Sequence, residues 1–452
     1  MTKVAILWHM HQPFYQDLAT GEHTMPWVRL HALKDYYGMV RLLREFPEVR
    51  MTFNLVPSLL VQLESFAAGT AVDPFIDLGM KPAEELTETE AAWLIKNFFH
   101  ANHDRMIGIY PRYAELLARR GHDVGTPSEA RALTRRFSAG DLRDLQVWQK
   151  LAWIDPYYLD EDPRVRDLVA RGSQFTEEDK ATLRAVELEI LNRVIPEYRA
   201  ASERGQVELS ASPFYHPILP LLCDTDVYRE ENPQHRLPRQ RFAHPSDAAE
   251  QLERAAQCLE RLFGKRPVGL WPSEGSVSNA MLPLAAAAGF QWMATDEQIL
   301  GRSTGFGFSR DEYGHVNAPD RLYAPYRVSV GDASVTCGFR DHTLSDRIGF
   351  VYSTWDPQAA AGDFVDRLSE AGRRHRERTG GEDATIFVIL DGENAWEYFD
   401  GGGRPFLRAL YGRLASHPEL KTVTMAEACA HPTRSLQGIY SGSWIDANFY
   451  IW

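Results

Sequence analysis

ATIFVILDGENAWEYF, residues 384–399, joins an unbroken apolar, β-branched run to a polar cluster that holds Asp391, Glu393 and Glu397. The run suits a buried parallel strand, apolar at every position. Acids that follow such a strand stand at its carboxyl end, which is where α/β folds keep their chemistry. The fold then depends on whether similar strands recur, and the function on whether their ends carry partners for these acids.

Strands of this kind do recur. VAILW (4–8), VRMTFNLV (49–56), VELSA (207–211), PVGLW (267–271), FQWMAT (290–295) and VTCGF (335–339) precede the quoted run, and helical patterns lie between them. SDAAEQLERAAQCLERLFGKRP, for example, opens on a Ser cap candidate and closes on Gly264 and Pro267. Seven strand–helix units predict an α/β fold, an incomplete (β/α)7 TIM-like barrel. The stretch between the second and third runs is far too long for one βα connection and predicts a large helical insertion. Within it, Leu183, Val186, Ile190 and Val194 share one helical face. The expected organisation is a first part of the barrel at 1–80, the insertion at 81–205, the rest of the barrel at 206–430, and a C-terminal region with helical additions from 431. The chain stops on apolar residues, so more chain is expected beyond Trp452.

A net charge of −13, from 49 basic and 62 acidic residues spread along the chain, argues against nucleic acid as a partner. Four scattered cysteines without a CxxC suggest free thiols in a reducing compartment. The N-terminal apolar run is too short for a signal segment or a membrane span, so a cytoplasmic protein with no membrane partner is expected. The sequence does not give the oligomeric state.

Four strand ends carry polar clusters: His9, His11 and Gln12 in HMHQPF, Glu208 and His216 in ELSASPFYHP, Trp271 and Glu274 in WPSEG, and Asp391 and Glu393 in DGEN. A barrel gathers strand ends at one rim, so residues far apart in sequence can face each other there. Two facing carboxyls among histidines and tryptophans are the parts needed to cleave a glycosidic bond. Each residue also has a plainer reading. Glu274 alone reads as a helix N-terminal acid, Asp391 as a turn residue before Gly392, and His216 as a hydrogen-bonded core histidine. His9 and His11 fall on one side of a strand, where alternate imidazoles make metal ligands. Joint placement at strand ends favours the catalytic reading.

HMHQPF, PWVRLHALKDYYGM, FNLVPSLLVQL, DLRDLQVWQKLAW, SPFYHPILPLL, GLWPSEGSVS, FRDHTLSDRIGF, LDGENAWEYF and GSWIDANF, in this order, resemble glycoside hydrolase family 57 from residue 3 to the C-terminus. The resemblance implies retaining chemistry on α-glucans; no cofactor or metal is expected, because two carboxyls supply both acid and nucleophile and the HMHQ run lacks the acidic partner a zinc site would want. Glu274 would be the nucleophile, Asp391 the acid/base, and His11 and His216 substrate-binding histidines. Such a pair stands ~5 to 5.5 Å apart, and one of its carboxyls, expected to be Asp391, keeps a proton near neutrality. His9, Gln12, Glu393, Trp396 and Trp444 belong to the same motifs and are expected at the sugar, with Trp271 as a stacking face. Arg340 and Asp341 either orient the nucleophile and sugar or form a structural ion pair. Two other readings stay open: a metal-dependent polysaccharide hydrolase, α-mannosidase-like or deacetylase-like, built on His9, His11 and His216, and a non-catalytic glucan-binding protein. Linkage preference and the ratio of hydrolysis to transfer are not fixed by these motifs.

Overall fold

In the computed structural model, which describes residues 1–121, 124–237 and 239–452, the described residues form ten strands. They are β1 (Thr2–Met10), β2 (Met51–Leu55), β3 (Val207–Ala211), β4 (Gly269–Leu270), β5 (Trp292–Asp296), β6 (Tyr326–Val330), β7 (Ala333–Arg340), β8 (Thr385–Asp391), β9 (Leu420–Val423) and β10 (Arg434–Gln437). β1, β2, β3, β4, β5, β7 and β8 pair in parallel in that order, and β8 returns to β1 to close a seven-stranded barrel. β8 meets β1 in register from Lys3 opposite Thr385 to His9 opposite Asp391. It meets β7 only where Arg340 lies opposite Phe387. There the Asp341 N–H donates to the Phe387 carbonyl at 2.9 Å. The buried Ser345 hydroxyl bridges the widening gap, donating to the Asp341 carbonyl and accepting from the Ile389 N–H.

The continuous apolar runs are explained by two cores. Ala5, Leu7, Phe387 and Ile389 point into the barrel with Trp271, Trp292 and Ala294. Val4, Ile6, Trp8 and Met10, like Ile386, Val388 and Leu390, join the larger core shared with the helices. Side chains alternate with a period of two, so His9 and Asp391 continue the inward rows of Leu7 and Ile389 to the carboxyl-end mouth. The opposite mouth is closed by the helix Met425–Cys429. Its first amides donate to Thr52 Oγ1 and to half-buried Glu208, which also accepts the Trp292 indole N–H.

Between β2 and β3 the chain is helical, ending in the 27-residue helix Glu177–Glu203. Thr176 and Asp179 form its capping box, and Leu183, Val186, Ile190 and Val194 are all buried. The helix Pro245–Phe263 differs at its start from the expected Ser cap. His244 holds the cap position and Pro245 the first turn, where its fixed φ suits a helix and its missing N–H costs nothing. Gly264, at φ 74°, ends it as expected. In the C-terminal part β9 pairs with the first half of β1 and β10 with β6. Beyond them residues 438–452 run back across the carboxyl-end mouth, where the Val277 and Gly442 backbones pair. Among the described residues no helix is long and apolar enough to cross a membrane.

Candidate active site

Glu274 follows β4 in a tight turn and adopts φ 56°, ψ 28°, a left-handed conformation that side chains with a Cβ rarely take. Of the five described non-glycine residues at positive φ, His216, Glu274, Asp446 and Ala447 all lie in segments that build this mouth. Such strain persists only where surrounding contacts impose it. Here the Trp444 N–H donates to the Glu274 carbonyl and the Trp444 indole N–H to Glu274 Oε2, both at 2.9 Å. Gly275 completes the turn at φ 58°, where a Cβ would sit 3.0 Å from the Trp271 ring.

His216 brings Nδ1 to 3.9 Å from Glu274 Oε1, and its ring stacks on His11 at 3.8 Å between centroids. His9 lies behind both and bonds through Nδ1 to Asn54 Oδ1 at 2.7 Å. Asn54 Oδ1 can only accept, so His9 carries its proton on Nδ1 and leaves Nε2 as an acceptor. Burial lowers the pKa of His9 and holds His11 and His216 well below the usual histidine range, so all three are neutral. His11 Nε2 and His216 Nε2 are buried without a protein partner, which is how groups reserved for a ligand's hydroxyls look.

These three histidines could be taken for a metal centre, since their ligand atoms lie within 4.8 Å of one another. Their planes, however, are only 18 to 23° apart. A metal ligand offers its lone pair in the ring plane, so stacked rings send those lone pairs side by side and not to one point. The arrangement fits hydrogen bonding better than coordination.

Asp391, at the end of β8, accepts from Asn394 Nδ2 at 2.9 Å. It is close enough to Glu274 for its negative charge, after burial, to push the Glu274 carboxyl up to about 7 against the Trp444 hydrogen bond. One raised carboxyl was expected, and Glu274 is the group that shows it.

The other expected residues divide. Trp271 and Trp396 are fully buried, so neither offers a stacking face. Trp271 instead packs edge-on against Trp444, and the Trp396 indole donates to the Gly392 carbonyl. Glu393 and Gln12 are also buried. Glu393 accepts from the His11 N–H and the Tyr36 hydroxyl, with Gln12 Nε2 at 3.5 Å, so it braces the His11 loop from behind. Burial and the charge of Asp391 push its carboxyl well above the usual range. Arg340 and Asp341 do not pair with each other. Arg340 bonds to Asp296 and Asp346 and lays its guanidinium over Trp444 at 5.2 Å, while Asp341 caps the next helix and accepts from Tyr323 and Arg310. Arg340 thus supports the indole that holds Glu274, and Asp341 is structural.

A model of glycosyl hydrolase family 57 matches residues 5–439. The chain belongs to that family. No curated protein sequence matches it. Among solved structures the family 57 chain is similar to a branching enzyme from Thermococcus kodakaraensis (15% identity, TM-score 0.58, covering 100% of this chain and 75% of that one). It is also similar to the α-amylase AmyC from Thermotoga maritima (14%, 0.55, 98% and 77%) and to a 4-α-glucanotransferase from Thermococcus litoralis (14%, 0.53, 98% and 42%). At these identities the likeness is one of fold.

Several residues at this family 57 mouth were not singled out from sequence. Asn54, within the second apolar run, fixes the His9 tautomer, and only the register of β1 with β2 brings it there. Asn394 lies three residues beyond Asp391 in a motif already in view. Phe350 and Tyr398 line a cavity beside Asp391 and carry no sequence signal, because exposed aromatics look like any others.

Proposed function

We propose that the protein is a retaining glycoside hydrolase or transglycosylase of α-glucans, with residues 1–80 and 206–430 as its catalytic barrel and 81–205 as a helical insertion. The observation that carries this reading is Glu274: a strained, partly buried carboxyl with one oxygen fixed by Trp444 and the other facing His216, beside Asp391. Glu274 attacks the anomeric carbon while Asp391 protonates the departing oxygen. Asp391 then takes a proton from water or a sugar hydroxyl as that oxygen displaces Glu274. The raised carboxyl of Glu274 holds a proton up to about 7. A glycosidic oxygen against Asp391 accepts only from its protonated form, and positive charge growing at the anomeric carbon favours ionised Glu274, so bound substrate settles the proton on Asp391. His9 Nε2, His11 and His216 bind the hydroxyls of the sugar being transferred.

The amylase, branching-enzyme and glucanotransferase neighbours support α-glucan as the substrate class. The test is Glu274→Ala assayed on a maltooligosaccharide with added azide. The expected product is a β-glycosyl azide, formed because azide replaces the missing nucleophile from the same face. Full activity of this variant without azide would refute the assignment.

A further inference from the structure

We infer that Phe350 and Tyr398 form an aromatic platform for the leaving half of an α-glucan chain and, in transfer, for the acceptor. This rests on the retaining reading of Glu274 and Asp391. A cavity of about 660 Å³ opens beside Asp391, bordered by Asn394, Arg340, Trp444, Phe350 and Tyr398. Neither Glu274 nor any of the three histidines borders it. The nucleophile and histidines hold the sugar whose anomeric carbon reacts. The acid/base instead meets the oxygen that leaves with the other half of the chain, so a cavity that adjoins the acid/base alone receives that half. When the C1–O bond breaks, the Asp391 proton goes to the leaving oxygen and a C1–O bond to Glu274 forms. In the reverse sense, an acceptor hydroxyl standing in this cavity gives its proton to Asp391 as it bonds to C1 and Glu274 departs.

The two rings are mounted, not loose. Phe350 is 81% exposed, yet it projects from a π-helical turn, Arg347–Val351, whose Ile348 is fully buried. The next residue but one, Tyr352, is buried with its hydroxyl on Asp363 at 2.5 Å. Tyr398 is 60% exposed between buried Trp396 and Phe399. π-turns recur at functional sites, and large rings held out to solvent on anchored turns are poor for stability but suited to stacking on pyranose faces. The rings stand on separate connections, one after β7 and one after β8, and border the same cavity.

The experiment compares kcat/KM on maltoheptaose with kcat/KM on α-maltosyl fluoride, whose leaving fluoride needs no platform, in the wild type and in Phe350→Ala/Tyr398→Ala. The ratio is expected to fall about tenfold in the double variant, with a similar fall in transfer to added maltose, a loss typical of two exposed stacking contacts. Phe350→Tyr and Tyr398→Phe keep the rings and should keep the ratio. A double variant with the wild-type melting temperature and the wild-type ratio overturns the platform. A wild type that turns over neither donor overturns the retaining reading instead. Calorimetric binding of maltoheptaose then decides the platform: about tenfold weaker binding in the double variant supports it, and equal or undetectable binding in both proteins overturns it.

Discussion

Replacing Glu274 by Gln measures what a partly buried charge costs this fold. Burial and the negative charge of Asp391 raise the Glu274 carboxyl from its ordinary 4.5 to about 7. At about 1.4 kcal/mol for each pH unit, ionising it costs the folded chain about 3 kcal/mol relative to the unfolded one. The sign follows from which state holds the proton more tightly. With the folded value above the unfolded one, the stabilising contribution is fully present below 4.5 and is lost as pH rises through about 7. Gln stays neutral throughout, so Glu274→Gln gains on the wild type across that window. An unfolding entropy of roughly 2 cal/mol/K per residue makes 3 kcal/mol worth about 3 °C for a chain of this length. Calorimetric melting of both proteins near pH 5 and near pH 8, at one ionic strength, should show the variant's advantage larger by about that amount at the higher pH. Asp391→Asn removes the second cause and leaves burial, so in that background the advantage should shrink without vanishing. An advantage equal at the two pH values to within about 1 °C would refute the raised carboxyl and, with it, the charge coupling between the two residues.

Three further outcomes follow from the same geometry. The alkaline limb of kcat/KM should fall near pH 7, where Glu274 loses its proton, and a profile flat well beyond that pH is incompatible with a proton brought to the reaction on Glu274. Trp444→Phe removes the hydrogen bond that favours ionised Glu274, so the limb should move to higher pH while kcat drops roughly 10- to 100-fold; an unchanged profile would reduce the indole to a packing group. Dialysis against a strong chelator, with metal loss confirmed by elemental analysis, should leave turnover of a soluble α-glucan intact, whereas activity that is lost and then restored by zinc would make the histidine trio a metal centre after all.

The seven barrel strands were legible because each is a short run rich in apolar, β-branched or aromatic residues, the pattern of strands covered by a core on both faces, with polar residues such as Asn54 and Glu208 only at single positions. The convergence of His9, His11, His216, Glu274 and Asp391 was legible from one topological rule, that parallel strands end at one rim. What was not legible is depth. Trp271, Trp396 and Glu393 sit in the same motifs as exposed groups, yet a residue's neighbours in sequence do not reveal that the Gly275 turn wedges against Trp271 or that Tyr36 closes over Glu393. Arg340 and Asp341 were ambiguous for a related reason. Their partners, Asp296 and Tyr323, come from other barrel segments, and only the folded register shows that adjacent residues face different networks.

The two sides of β8 also differ in how firmly they are sewn. Toward β1 the strand is laced along its length, while toward β7 it is fastened at a single register pair and by the Ser345 hydroxyl. The barrel therefore has a seam, and the connections that carry Phe350 and Tyr398 spring from its opposite lips. On the laced side the backbone ladder itself sets the spacing of His9 and Asp391, whereas across the seam the spacing of the two rings is set by how their connections pack, a cuff buttoned at one point and not sewn.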